Sequence, residues 1–251
     1  MNPTVKKFIL VLYFFLSLVS PMGGAPRPWD QDEEGRVILL DQTLAQERNY
    51  VLFVAEDFEG NRPWAFYRSD SFLAHTQFSA FLSDSTAFPK EKAVYQKYGY
   101  EGFQNQTSFL IQSFVENPKT DHWDIRPAKP LLLPTGLPIQ AILWVYSEGH
   151  HINLELLVSQ KKSEDIHLPL GMLNFVGWRR LEVPINLPAK NAKLLQSLSI
   201  PVSVKGFHLA TRTTQKKGAF HLCFDNLTFV IDTSTFTYPG AEIKDNWGKN
   251  N

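Results

Sequence analysis

Carboxylates gather at Glu56, Asp57 and Glu59, and again at Asp121 and Asp124. Two acids flanking one bond could do glycosidase chemistry, one giving a proton and the other acting as nucleophile or base. Sequence spacing does not fix how far apart they stand, and loop acids are ordinarily solvated. No catalytic residue is assigned to them. Glu56, Asp57, Asp225 and Asp232 fall near the first and last expected strands, where a sandwich can hold a structural Ca²⁺ through carboxylate oxygens; the plainer reading has Asp225 and Asn226 satisfying backbone groups at a bulge. His150 and His151 adjoin in a turn between strands, and His122 follows Asp121 in a proline-rich loop. Neither group has the one-helical-turn spacing with a nearby acid that marks a zinc motif. Cys223 is the only cysteine. With no neighbouring base motif it reads as a packed, inert thiol. Metal ligands and cofactor sites are therefore set at none, and the chain is expected not to be an enzyme.

Aromatic side chains carry more information. On the strand Gln140 to Tyr146, Trp144 and Tyr146 share the face opposite Leu143 and Val145, which leaves both faces apolar. Trp and Tyr are favoured where a partner covers a surface, so Trp144 and Tyr146 are candidate interface residues, with Trp247 as a second site. The competing reading makes this a central strand covered on both faces by its own domain.

The elements around these residues are mostly strands, in keeping with 13% aromatic content and 19 Phe, side chains that suit a pleated surface. Tyr50 to Phe58 is apolar on both faces, and Thr107 to Val115 alternates. Ile152, Leu154, Leu156 and Val158 line one face against Asn153, Glu155 and Ser159, with Leu157 as the exception. Leu181, Val183, Ile185 and Leu187 repeat the pattern. The prolines at 184 and 188 cannot donate a ladder hydrogen bond, which places that strand at a sheet edge or at a bulge. The inward phase shifts across Gly206, and again across Asp225 and Asn226, as a bulge requires. The expected inward set includes Leu154, Leu156, Leu181, Val183, Phe220, Leu222 and Phe229.

Other stretches are read as connections. Pro26 to Gly35 is acidic and is expected to be an exposed arm, with Val37 to Leu40 too short to tell helix from strand. Residues 62–100 are expected to form a long excursion with at most a helical turn at Ala93 to Tyr98, since Pro89 interrupts the run. Asn117 to Pro138, with five prolines, is read as a loop system. The fold class predicted is all-β, an antiparallel β-sandwich of jelly-roll type with long loops and few short helices.

Basic and acidic residues balance at 25 each, so charge alone favours neither nucleic acid nor an anionic membrane. Lys6 and Lys7, the apolar run Phe8 to Val19 and the small residues up to Ala25 have the layout of a secretory signal, too short for a comfortable bilayer span. The expected divisions are 1–25 signal peptide, 26–49 N-terminal arm, 50–232 β-sandwich and 233–251 polar tail, with no membrane insertion after processing.

The run from Ile142 to Val158, followed by Leu168 to Ile185, resembles the flagellar filament outer layer proteins, the FlaA-type sheath proteins of spirochaete periplasmic flagella. Gly171, Leu173, Phe175, Gly177 and Trp178 match that family's "G-x-L-x-F-x-GW" pattern in order and spacing. The likeness extends more loosely from Val54 to Ile231, with Ala55-Glu-Asp-Phe-Glu59 and Phe224-Asp-Asn-Leu-Thr-Phe-Val230 at its ends. Ser147 replaces the usual Gly after the "WVY" segment, and Gln160 to Asp165 departs from the expected turn. The resemblance implies a structural subunit that packs around a flagellin core in the periplasm, with flagellin subunits and other sheath proteins as partners, contributing to filament shape and motility. The alternative of another class is a secreted carbohydrate-binding module. A row of exposed Trp and Tyr on one concave face would favour it.

Overall fold

A computed structural model describes residues 28–60, 62–68, 76–79, 87–101, 106–160, 164–187 and 201–234. Among the described residues, twelve strands form two antiparallel sheets. The first sheet, A, has the order β10(Val176–Pro184), β7(Leu137–Glu148), β12(Gly218–Asp232), β4(Ser108–Val115), β3(Thr76–Ser79), with β1(Tyr50–Glu56) paired to the far half of β12. The second, B, has the order β2(Trp64–Arg68), β5(His122–Pro127), β11(Val202–Thr211), β8(Ile152–Gln160), β9(Ile166–Met172), with β6(Leu131–Leu132) also on β11. The all-β antiparallel sandwich expected from the sequence is the fold observed.

The two sheets close on one core in which every residue of the expected inward set takes part. Period-2 alternation places these side chains between the sheets, and each fully buried Leu or Phe contributes roughly 1.5 to 3 kcal/mol. Both expected phase changes are bulges: the β11–β8 register slips between Val204 and Gly206, and the β12–β7 register between Asp225 and Thr228. At Gly206 a Cβ would lie 1.9 Å from the Ile125 carbonyl oxygen, and φ is +132°. Only glycine allows β11 to approach β5 so closely there. Gly177, in the motif run, has φ 93° and opens the β10 edge strand.

Three connections differ from expectation. The acidic stretch is no exposed arm, and Val37 to Leu40 is no strand: α1(Pro28–Gln46) runs through both and buries Glu33, Val37, Leu40 and Leu44. Acidic residues suit a helix N-terminal turn, and Asp32 and Arg36 pair at 2.6 Å one turn apart. The second helix, α2(Ala87–Lys97), is three turns long, not one. Pro89 lies in its first turn, where a missing N–H costs nothing. The proline-rich segment contains β5 and β6, whose prolines fall at or beyond the strand ends.

α1 and α2 lie together on the outer face of sheet A. Their buried sides join Leu52, Ile142, Trp144, Trp178, Cys223 and Val230 in a second apolar cluster. Lys90 to Glu34 and Lys97 to Asp41 tie the helices along their exposed sides. The molecule therefore has three layers: helix pair, sheet A and sheet B.

Candidate functional site

Trp144, expected at an interface, is buried inside the chain. α2 covers it: the Phe88 ring meets the indole edge-on at 5.2 Å, and the indole Nε1 donates to the Glu91 carboxylate. A side chain held this way offers no surface to a partner, and the reading of a central strand covered on both faces applies. Tyr146, two residues along the same face, is only partly buried, with its ring 5.9 Å from that of Trp178. Trp247 lies outside the described residues, as do the signal segment and the polar tail beyond Ser234.

Beneath the helices runs a polar network that the sequence did not reveal. Glu91, buried on α2, accepts from Arg180 Nε at 3.0 Å, and Arg180 Nη1 donates to Glu182 at 2.6 Å. Burial works to discharge Arg180, but Glu91 and Glu182 more than offset it and hold its pKa above the ordinary value. From α1, Glu33 accepts the backbone N–H of Arg180 at 3.0 Å. That amide lies on edge strand β10, so α1 blocks part of an edge that could otherwise pair with another chain. Burial also pushes the Tyr95 hydroxyl well above its usual range, where it accepts from Thr228 at 3.1 Å. Cys223, in the same layer, is pushed up to about 12 by burial and then by Asp225. It stays a thiol.

The candidate acids go to separate tasks. Glu56 accepts from Trp64 Nε1 at 3.2 Å and from Arg62 at 3.1 Å, while Asp232 accepts the Ser234 amide at 2.8 Å. Burial raises the pKa of Glu56 against the opposing effect of Arg62. Asp121 caps the turn through the Glu116 and Asn117 amides. His150 packs 5.8 Å from the Phe220 ring, and His151 meets Thr214 Oγ1 at 2.6 Å.

The outer face of sheet B carries a row of polar side chains. Cross-strand register places Tyr67, Asp124, His208 and Glu155 in one row over β2, β5, β11 and β8. His122 and His167 flank the row diagonally from β5 and β9, with ring centroids 5.7 and 5.6 Å from His208. His208 Nδ1 meets Asp124 Oδ1 at 2.8 Å, and His167 Nδ1 meets Glu155 Oε2 at 2.6 Å. Arg126 joins Asp124 to Asp165. The His208 hydrogen bond, aided by Arg126 and opposed by burial, lowers Asp124 to about 2. The sequence hides this row because its residues come from four separate strands, of which β2 lies in the stretch read as an excursion and β5 in the one read as a loop system. The alternation of Trp123 and Ile125 inward against His122, Asp124 and Arg126 outward was the available signal.

Exposed aromatics are few among the described residues. Tyr67 on sheet B and Phe114 on sheet A are about half exposed, at 48% and 50%, whereas Trp64, Trp123, Trp144 and Trp178 are all buried. The described face of sheet B thus has no indole row on which sugar rings could stack.

Residues 135–238 match the family model described as flagellar filament outer layer protein FlaA. A protein of Brachyspira hyodysenteriae (strain ATCC 49526 / WA1), named "Putative flagellar filament outer layer-like protein", is 22% identical over 140 residues. That alignment covers 55% of this chain and 64% of the relative, less than two thirds of its length. Among solved structures, the family 11 carbohydrate-binding module from Clostridium thermocellum, in complex with a mixed-linked tetrasaccharide, aligns with a TM-score of 0.39 and 14% identity, over 72% of this chain and 94% of that one. TmCBM61 in complex with beta-1,4-galactotriose aligns with a TM-score of 0.39 and 10% identity, over 70% and 94%.

Proposed function

We propose, from the premise that residues 135–238 carry the sequence pattern of the flagellar filament outer layer family, that this chain is a structural subunit of such a layer. On this reading it packs around the flagellin core with other sheath proteins, is exported to the periplasm, and contributes to filament shape and motility. The supporting observation is where the matched segment lies. It runs from just before β7 to past β12, so it includes the two central strands of sheet A, both motif glycines of the β9–β10 run, and the β11–β8 centre of sheet B. The resemblance thus rests on the strands that define the sandwich, not on a loop motif.

Detergent removal of the outer membrane followed by sedimentation of the flagella tests the proposal. The processed chain is expected in the filament pellet and to resist washing in moderate salt. Recovery only in the soluble periplasmic fraction or the medium would overturn it.

A further inference from the structure

The outward side of a surface helix is ordinarily its charged side, and α1 departs from that rule. Its inward stripe is Glu33, Val37, Leu40 and Leu44. Beyond Asp32 its exposed residues are Gly35, Ile38, Leu39, Gln42, Ala45 and Gln46, none of which carries a charge. At about 3.6 residues per turn these six fall on one side, opposite the inward stripe. The charges of the same stretch are drawn to the flanks. On the α2 side Glu34 pairs with Lys90 and Asp41 with Lys97, and on the β10 side Arg36 pairs with Asp32 and reaches Glu182. Depletion of charge around large apolar side chains is what the centre of an interface looks like.

The ends of this stripe are of opposite charge, and that indicates what covers it. Asp32 is exposed at the N-terminal end and Arg48 just past the C-terminal end. We infer that the exposed face of α1 is a self-association surface, on which α1 of a second copy of this chain packs antiparallel about a twofold axis near residue 40. That pairing sets Asp32 of each copy beside Arg48 of the other, Gly35 opposite Ala45, and Ile38 opposite Gln42. A parallel pairing would instead oppose Asp32 to Asp32. The helix macrodipoles favour the antiparallel arrangement as well, each N-terminus lying beside the other's C-terminus. A twofold contact needs one self-complementary patch, and this stripe supplies it. One helix pair falls short of the roughly 1,600 Å² that a standard stable interface buries. The contact is therefore weak between free chains and is strengthened where copies are held side by side. A layer of repeated subunits would use it, but the contact does not depend on the filament reading.

Thiol cross-linking between two variants tests both the contact and its direction. Gly35→Cys and Ala45→Cys each add a thiol at an exposed position of α1, while the natural Cys223 is buried. A Cβ at position 35 meets nothing within 4 Å, so the helix accepts that change. Each processed chain is treated with a short bis-maleimide, alone and in an equal mixture, and the joined product is mapped by mass spectrometry. The mixture is expected to give a covalent dimer linking position 35 of one copy to position 45 of the other, and either variant alone to give little. Leu39→Asp in both chains should cut the product at least roughly tenfold, because the pairing brings the two new carboxylates close together at its centre. The denaturation midpoint should hold, since Leu39 is exposed. Arg48→Glu, beyond the end of the helix, should lower the yield in the same direction and keeps the test valid if Leu39→Asp disturbs α1. No product in the mixture, equal product from either variant alone, or a yield indifferent to both Leu39→Asp and Arg48→Glu would each overturn the inference. Absence of the chain from the filament pellet would overturn the filament reading and leave this result standing.

Discussion

Trp144 separates the two roles that one aromatic residue can have. Its type and position suited an interface, but Phe88 and Glu91 meet it within the chain. Trp144→Ala is accordingly expected to cost about 3 to 5 kcal/mol, the usual range for removing a buried Trp, read as a fall in the denaturant midpoint of the isolated domain. A midpoint within error of wild type would mean that α2 does not cover this strand in solution. Asp124 gives a second residue-level expectation. Its pKa is lowered in the fold, first by the His208 hydrogen bond, to about 2 from 3.8. A depressed carboxyl contributes stability that is fully present above its unfolded pKa and lost as pH falls through the folded value. The contribution therefore disappears between about pH 4 and pH 2, and its size is modest because the group is partly exposed. Asp124→Asn should flatten the acid limb of stability in that window relative to wild type, and an identical pH profile would refute the pairing.

At the scale of elements, the long core strands were legible, while the helices and the short strands β2, β3, β5 and β6, which lie in stretches read as excursion or loop, were not. Period-2 burial is local: Leu154, Leu156 and Val158 show it in three alternate positions, and the phase slips at Gly206 and Asp225 can be read without knowing the partner strand. The helices failed for separate reasons. In α1, Ile38 and Leu39 are exposed, at 51% and 60%, beside the buried Val37 and Leu40, so the apolar stripe is blurred. In α2, a buried Glu91 occupies a position that should look apolar and becomes intelligible only with Arg180, 89 residues away. The His and carboxylate row was hidden likewise, because its members meet only through sheet register. If α1 is an integral layer, Leu40→Ala should cost about 2 to 5 kcal/mol in a single unfolding transition shared with the sandwich. A separate early transition, with the β-sheet circular dichroism signal retained, would instead make α1 an independent arm, as its composition alone suggested.

For the whole molecule, the helix pair closes much of the outer face of sheet A and leaves a remainder beyond it. Tyr146 lies at that boundary, partly buried, while Val176 on β10 and Phe114 on β4 are 62% and 50% exposed. A subunit of a filament layer must be stable alone and still offer apolar area to its neighbours. Residues essential to the fold and residues essential to assembly should therefore be different ones. Trp144 and Tyr146 pose this contrast on one strand face, two positions apart. Truncating an aromatic that a partner covers removes contact area only in the complex, by about 2 kcal/mol or more where it is a hot spot. Tyr146→Ala is thus expected to reduce co-sedimentation of the chain with filaments at least tenfold, the equivalent of about 1.4 kcal/mol, while moving the denaturation midpoint far less than Trp144→Ala does. Equal loss of stability in the two variants would assign Tyr146 to the layer beneath the helices. Normal sedimentation with normal stability would remove it from the assembly surface and turn the search to the exposed face of α1 around Ile38 and Leu39.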